Sequence, residues 1–376
     1  MSAARPRARG LGLPLPGTPG RLNSITDVPG VEVGMTTLVR PAAPGQPQVH
    51  TGVTALLPRG HEPRPLPVWA GQFDLNGNGE LTGSHWIRDA GYFTGPVCLT
   101  NTHSVGIVHQ AAVRFMIESH PEHFRAHHAW AMPVVAETYD GLLSDICGLH
   151  LTEEDALQAL RGACGGPVTE GNAGGGTGMQ TYEFKGGTGS SSRVVGIAGA
   201  QYTVGVLVQS NFGRRDELCV LGVPVGRLWP QDALLSELAL PETGSIIVII
   251  GTDAPLSPIQ LQRLAKRGAL GIGRTGTSGG HYSGDLMLAF SVANPVYLPA
   301  IGEPQPRSFS AEWLNDAYGD VLYGAAVEAV EEAILNALCA ARSVPTFKPP
   351  GRVLEAIDTA RLLQLLRAHG RLPQGR

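Results

Sequence analysis

Leu240-Pro241-Glu242-Thr243-Gly244-Ser245-Ile246-Ile247-Val248-Ile249-Ile250 holds the boundary from which the rest of the chain can be read. A polar, turn-forming segment runs directly into an unbroken β-branched apolar run. Such a run, with no polar face, reads as a strand covered on both sides. The boundary residue is a serine preceded by a glycine. By themselves these residues describe a loop ending at a strand, but their chemistry allows more. A serine hydroxyl beside a strained peptide bond can attack the preceding carbonyl. Glycine at 244 leaves that carbonyl accessible and admits strained backbone angles. The amide becomes an ester by an N-to-O acyl shift, and water then splits the ester. This frees an α-amine on Ser245, whose reference pKa near about 8 needs only a modest downward shift for general-base work. Nucleophile and base then sit on one residue of a central strand.

Outward from this stretch, Arg193–Gly199 and Thr203–Gln209 read as strands separated by Ala200-Gln201-Tyr202, and Leu286–Val292 as another covered strand. Val108, Ala111, Ala112, Phe115 and Met116 repeat at helical spacing. Thr152 and Asp155 form a capping box before Leu157 and Leu160. Ser257-Pro258-Ile259-Gln260 is a stronger helix start, followed by a buried stripe of Leu261, Leu264 and Ala265, with Gly271 expected to end it. An Ala-rich helix is expected from about Ala311 to Ala341, and a last one from Asp358 to His369. Residues 1–24 read as an extended arm held out of regular structure by Pro14, Pro16 and Pro19. Residues 40–49 and 58–67 are Pro-rich loops. Helices around doubly covered sheets point to a layered α/β sandwich, without the regular alternation of a Rossmann sheet or a TIM barrel. With no internal repeat and no long linker, the 376 residues read as a single domain.

Composition excludes several classes. The net charge is only −4, with no long run of either sign, which argues against nucleic acid or an anionic membrane as partner. Charged residues make up 16%, which fits a large buried fraction or burial in an oligomer. Five scattered cysteines with no CxxC pair read as reduced thiols of a cytoplasmic protein. The N-terminus lacks the apolar core of a secretory signal, and no apolar run is long enough to span a membrane.

Several motifs fail on context. Gly271-Ile272-Gly273-Arg274-Thr275-Gly276 matches a dinucleotide fingerprint but follows a helix. Gly174-Gly175-Gly176-Thr177-Gly178 lacks the Lys-Ser/Thr of a phosphate loop and reads as a tight turn where backbones approach closely. Asp74-Leu75-Asn76-Gly77-Asn78-Gly79 opens like a calcium loop, but the twelfth position is His85. His120, His123, His127 and His128 have no carboxylate at fixed spacing and read as exposed. Gly276-Thr277-Ser278-Gly279-Gly280 matches a nucleophile elbow and makes Ser278 the alternative serine nucleophile, although that motif needs a preceding strand.

A wider set of motifs surrounds the Gly244-Ser245 junction. These are Leu22-Asn23-Ser24-Ile25-Thr26-Asp27-Val28-Pro29-Gly30-Val31, Asn76-Gly77-Asn78-Gly79-Glu80-Leu81-Thr82-Gly83, Thr100-Asn101-Thr102-His103-Ser104-Val105-Gly106 and Glu170-Gly171-Asn172. Further on stand Gly174-Gly175-Gly176-Thr177-Gly178-Met179, Gln209-Ser210-Asn211-Phe212-Gly213, Thr252-Asp253-Ala254-Pro255-Leu256 and Ser283-Gly284-Asp285. On these, over nearly its whole length, the chain resembles the DmpA-type aminopeptidases (L-aminopeptidase/D-esterase), which include the β-aminopeptidases.

The resemblance implies a four-layer αββα sandwich, shared with ornithine acetyltransferases. It also implies self-cleavage between Gly244 and Ser245 into an α-chain, 1–244, and a β-chain, 245–376, that stay associated. Ser245 takes the position of the nucleophile. Ser283 and Asp285 take those of the supporting serine and carboxylate, where some members carry glutamate instead of Asp285. Asn211 matches the amide of the oxyanion hole, Tyr139 an active-site tyrosine, and Glu137 the carboxylate that receives the substrate's amino group. The implied substrates are small peptides, amides or esters with a free amino end. No cofactor or metal is implied, and the αβ units are expected to assemble into a homo-oligomer. The same-fold alternative is an acyltransferase of the ornithine acetyltransferase kind, which uses threonine as nucleophile; serine at 245 favours a hydrolase.

Overall fold

Every residue of the 245–252 strand is buried, and its two faces enter two different cores. Ile246, Val248 and Ile250 pack with helical residues such as Leu261, Leu264 and Val330. Ile247 and Ile249 pack with Leu56, Val97, Leu99 and Ala136 from a second sheet. Each such side chain stabilises the fold by about 1.5–3 kcal/mol through removal from water. This two-sided burial defines the layers in a computed structural model that describes residues 5–373 except 240 and 243. Leu240 and Thr243 of the quoted stretch therefore lie outside the described residues.

The first sheet contains β1 (Glu32–Arg40), β2 (Val49–Leu57), β5 (Val97–Asn101) and β6 (Val134–Thr138), in the order β1-β2-β5-β6. The second contains β3 (Pro67–Gly77), β4 (Tyr92–Thr94), β7 (Gly187–Ile197), β8 (Ala200–Asn211), β9 (Ser245–Thr252) and β10 (Gly284–Ser291). Its order is β4-β3-β10-β9-β8-β7. Helices α1 (Val105–Ser119) and α2 (Glu153–Arg161) cover the first sheet. Helices α3 (Pro258–Arg274) and α4 (Gly319–Ala340) cover the second. The face shared by the sheets is filled by residues such as Leu207, Ile247, Leu288 and Phe290. The architecture is the expected αββα sandwich. Strands β9 and β10 are parallel and are joined through α3, as a parallel pair requires a crossover.

Most expected elements appear, with shifts that have local causes. Ala198 and Gly199 carry positive φ, so the hairpin turns there and Ala200-Gln201-Tyr202 belongs to β8. Gly271 does not end α3. It lies on the buried face, where a Cβ would come within 2.6 Å of Val330 Cβ, and the helix continues to Arg274. The glycine serves a close helix–helix approach. Helix α4 begins at Gly319 rather than near Ala311. The Leu314 carbonyl accepts from Gln260, and the Asn315 side chain caps the Ala317 N–H, fixing a turn ahead of the helix. The arm contains a 3₁₀ turn, Arg9–Leu11, and is held down, with Leu13 and Leu15 buried and the Ala8 N–H bonded to Asn336. The expected last helix runs over Thr359–Ala368, with Asp358 as its N-cap and His369 as its C-cap rather than inside it.

The rejected motifs meet their physical contexts. Gly271–Gly276 is the end of α3 and the turn after it. Ser278 follows that helix, not a strand, is exposed, and donates to Glu217 at 3.1 Å. It is not on a nucleophile elbow, which removes the Ser278 alternative. Gly174–Gly178 is a buried 3₁₀ turn between the sheets. Among the described residues, no group of three or more His, Cys, Asp or Glu is placed to hold a metal ion, and no helix is long and apolar enough to cross a membrane. All five cysteines are free.

Candidate active site

Three neighbouring strand ends assemble the first half of the site. Ser245 opens β9. It pairs across an antiparallel ladder with Asn211, the last residue of β8, and across a parallel ladder with Gly284, the first of β10. The Gly284 N–H donates to Ser245 Oγ at 3.1 Å. Ser283 Oγ donates to Asp285 Oδ1 at 2.6 Å, and both residues are buried. Asn76 on β3 donates to Asp285 Oδ2 at 3.2 Å. Burial pushes the Asp285 carboxyl up to about 6, while the hydrogen bond from Ser283 opposes the shift.

Gly244 stands where β8 comes closest. A Cβ there would lie 2.1 Å from the Asn211 carbonyl oxygen. Glycine at 244 thus answers a steric demand for close approach. The Gly244 N–H donates to the Glu242 carboxylate at 3.2 Å, and the Gly213 N–H donates to the same oxygen at 3.1 Å.

The Asn211 side chain is fixed in one orientation. Its Oδ1 accepts from the Gln180 N–H at 2.8 Å, and its Nδ2 donates to the Tyr139 carbonyl at 3.0 Å. A backbone N–H only donates and a carbonyl only accepts, so the amide cannot be flipped. The two-hydrogen Nδ2 keeps one further N–H.

The other sheet supplies the second half. Glu137 lies on β6 and is buried, with Thr102 Oγ1 donating to Oε2 and the Glu80 N–H donating to Oε1 at 3.0 Å. Burial raises its pKa above the ordinary carboxylate value, and these hydrogen bonds only partly oppose that. Tyr139, just beyond β6, is 41% exposed. Glu80, Thr102, Glu137, Tyr139 and Ser245 line one cavity of about 470 Å³. Asn211, Gly244, Gln180 and Tyr139 line another of about 300 Å³. Tyr139 therefore borders both, while Ser283 and Asp285 flank Gly284, the strand partner of Ser245.

Ser245, Gly244, Asn211, Tyr139, Glu137, Ser283 and Asp285 thus converge on this region. The supporting contacts from Thr102, Asn76, Gln180, Glu242 and the Gly284 N–H were not foreseen. Asn76, Thr102 and Gly284 lie inside motifs quoted above, and Gln180 follows one directly, but motif membership gives no partner.

The sequence profile described as peptidase family S58 matches residues 23–350. The chain is similar to β-peptidyl aminopeptidase BapA of Sphingosinicella microcystinivorans, 46% identical over 385 residues, covering 99% of this chain and 94% of that one. It is also similar to BapA of Sphingosinicella xenopeptidilytica, 44% identical, covering 91% and 87%. Among solved structures, the L-aminopeptidase D-Ala-esterase/amidase of Ochrobactrum anthropi superposes with a TM-score of 0.92 at 48% identity, covering 98% of this chain and all of that one. That enzyme is described as a prototype of the serine aminopeptidases with a variant of the Ntn hydrolase fold. A Burkholderia sp. β-aminopeptidase superposes with a TM-score of 0.89 at 44% identity, covering 98% of this chain and 100% of that one. Profile, relatives and superposed structures agree along nearly the full length: the chain belongs to peptidase family S58 and is a serine-type aminopeptidase hydrolase with the Ntn fold.

Proposed function

We propose that the chain cuts itself between Gly244 and Ser245 and then uses Ser245 to release N-terminal residues from small peptides, amides or esters. The observation that carries this is the shared cavity: the first residue of a buried strand, Ser245, and a buried carboxylate, Glu137, line one space. In self-cleavage, Ser245 Oγ attacks the Gly244 carbonyl carbon. Its proton passes to the departing Ser245 nitrogen, and the resulting ester is hydrolysed by water. In turnover, the freed amine takes the Oγ proton as general base, and Oγ attacks the substrate carbonyl. The tetrahedral intermediate expels the amine or alcohol, which takes that proton, and water then hydrolyses the acyl-serine ester. Asn211 Nδ2 donates its remaining N–H to the oxyanion, a contribution typically worth about 3–4 kcal/mol. Ser283, held by Asp285, stands next to Gly284, whose N–H donates to Ser245 Oγ.

Glu137 takes the substrate ammonium. A carboxylate stripped of water and held by two hydrogen bonds gains more from a cation than the roughly 0–1 kcal/mol of an exposed pair. An uncharged substrate end leaves it buried without a counter-ion. The names of the relatives cover both β-peptidyl and L-amino-acid substrates, and D-alanyl esters and amides, so this class includes α- and β-amino ends. Exposed Trp130 and Ile301 support association of αβ units into a homo-oligomer. The test of the assignment is turnover: purified protein should release p-nitroaniline from L-alanyl and β-alanyl p-nitroanilide. Failure on both, with the chain cleaved, would reject the substrate class.

A further inference from the structure

Lys185 is completely buried, yet the only cause moving its pKa is burial, which pushes it down to about 7. Its ammonium is held by three backbone carbonyls: Met179 at 2.8 Å, Gly186 at 2.8 Å and Gly176 at 3.3 Å. Three acceptors match the three hydrogens of the protonated form, since a neutral amine would turn its lone pair on a carbonyl oxygen. A buried charge held by carbonyls alone, with no carboxylate paired to it among the described residues, is costly to keep.

The position of one of those carbonyls suggests what the charge is for. The Met179 carbonyl and the Gln180 N–H belong to the same peptide group. That N–H donates to Asn211 Oδ1 at 2.8 Å. A cation on the carbonyl oxygen draws electron density through the peptide and makes its N–H a stronger donor. The stronger donor polarises the Asn211 amide and makes its Nδ2 hydrogens more positive. The Gly186 N–H also donates to the Met179 carbonyl, at 3.0 Å, so the peptide plane is fixed at both ends. Asn211 in turn pairs with Ser245.

We propose that Lys185 is a positioning residue for the oxyanion: bound to the Met179 carbonyl, its ammonium orients and polarises the Met179–Gln180 peptide and, through it, the Asn211 amide. This rests on the reading of Asn211 as an oxyanion donor. The relay acts on charge that develops at the acyl oxygen in the transition state, so it lowers the barrier without tightening substrate binding.

The experiment is a double-mutant cycle in the full chain, with rates normalised to the self-processed fraction measured by intact mass. Lys185→Met removes the charge and keeps the stem. Lys185→Gln keeps an N–H donor for one carbonyl, so misfolding of one variant leaves the other readable. Either substitution should lower kcat by about tenfold or more with KM unchanged, a loss of transition-state stabilisation alone. In an Asn211→Ala background the same substitution should change kcat by less than about twofold, because the relay has lost its endpoint. An unchanged kcat in the folded single variants, or the same loss in both backgrounds, would overturn the relay and leave Asn211 in place. Normal turnover of Asn211→Ala alone would instead remove Asn211 from the oxyanion hole, and the relay with it.

Discussion

Asn211 and Ser245 face each other as the terminal antiparallel pair of the β8–β9 ladder. The ladder holds the proposed oxyanion donor beside the proposed nucleophile by backbone geometry rather than by loop conformation. Losing that donor leaves the nucleophile in place. Asn211→Ala should therefore lower kcat by about 10²–10³-fold, the usual cost of one oxyanion-hole donor, with little change in KM. Steady-state kinetics on L-alanyl p-nitroanilide measure this, and a wild-type kcat would contradict the assignment.

One hydroxyl is asked to perform both attacks. Ser245→Ala should abolish self-cleavage and turnover together, whereas Ser278→Ala should alter neither, since Ser278 is an exposed partner of Glu217. Denaturing electrophoresis and a p-nitroanilide assay on both variants check this. A processed, active Ser245→Ala protein would place the nucleophile elsewhere.

On the proposed reading, Glu137 separates recognition from self-processing. Its carboxylate is buried and held by Thr102 and the Glu80 N–H, so it has no role toward a chain that presents no free amine. Glu137→Gln should cleave itself normally and lose kcat/KM for free-amine substrates by at least about tenfold, the scale of breaking a desolvated charge pair. N-acetylation of the substrate should have the same effect on the unaltered enzyme. Equal rates on acetylated and free substrates would make the enzyme a general amidase.

The Asp285 carboxyl is raised to about 6 by burial. Because its pKa lies above the ordinary value, the folded protein takes up this proton as pH falls through about 6. The anion that accepts from Ser283 is then lost. Turnover at saturating substrate should fall along an acidic limb near that pH, where bound ammonium keeps Glu137 ionised. Asp285→Asn should lower the plateau and remove the step near pH 6, while a limb from protonation of the Ser245 α-amine, the general base of turnover, should remain. A step near pH 6 that survives in this variant belongs to another group.

Much of this site was legible because its residues lie at element ends with clear signatures. The apolar run after Ser245 marks a doubly buried strand, and the observed faces bear this out, with Ile247 and Ile249 turned to the other sheet. Ser257 and Gln260 announced α3 through a capping box that is present in the structure. What stayed hidden is what depends on neighbours distant in sequence. Gly271 looks like a terminator until Val330 is seen against it. The 311–318 segment reads as helix until Gln260, from another helix, takes its carbonyl. Lys185 carries no signal in the sequence, because the three groups that hold it are backbone carbonyls.

The central claim is that the peptide bond between Gly244 and Ser245 is broken by the chain itself, and intact mass under denaturing conditions tests it most directly. Purified protein incubated at neutral pH should resolve into two species with the masses of residues 1–244 and 245–376, the second beginning with a free serine amine. The Ser245→Ala protein treated in parallel should remain whole. A full-length chain that persists after long incubation, while still hydrolysing aminoacyl p-nitroanilides, would contradict the account.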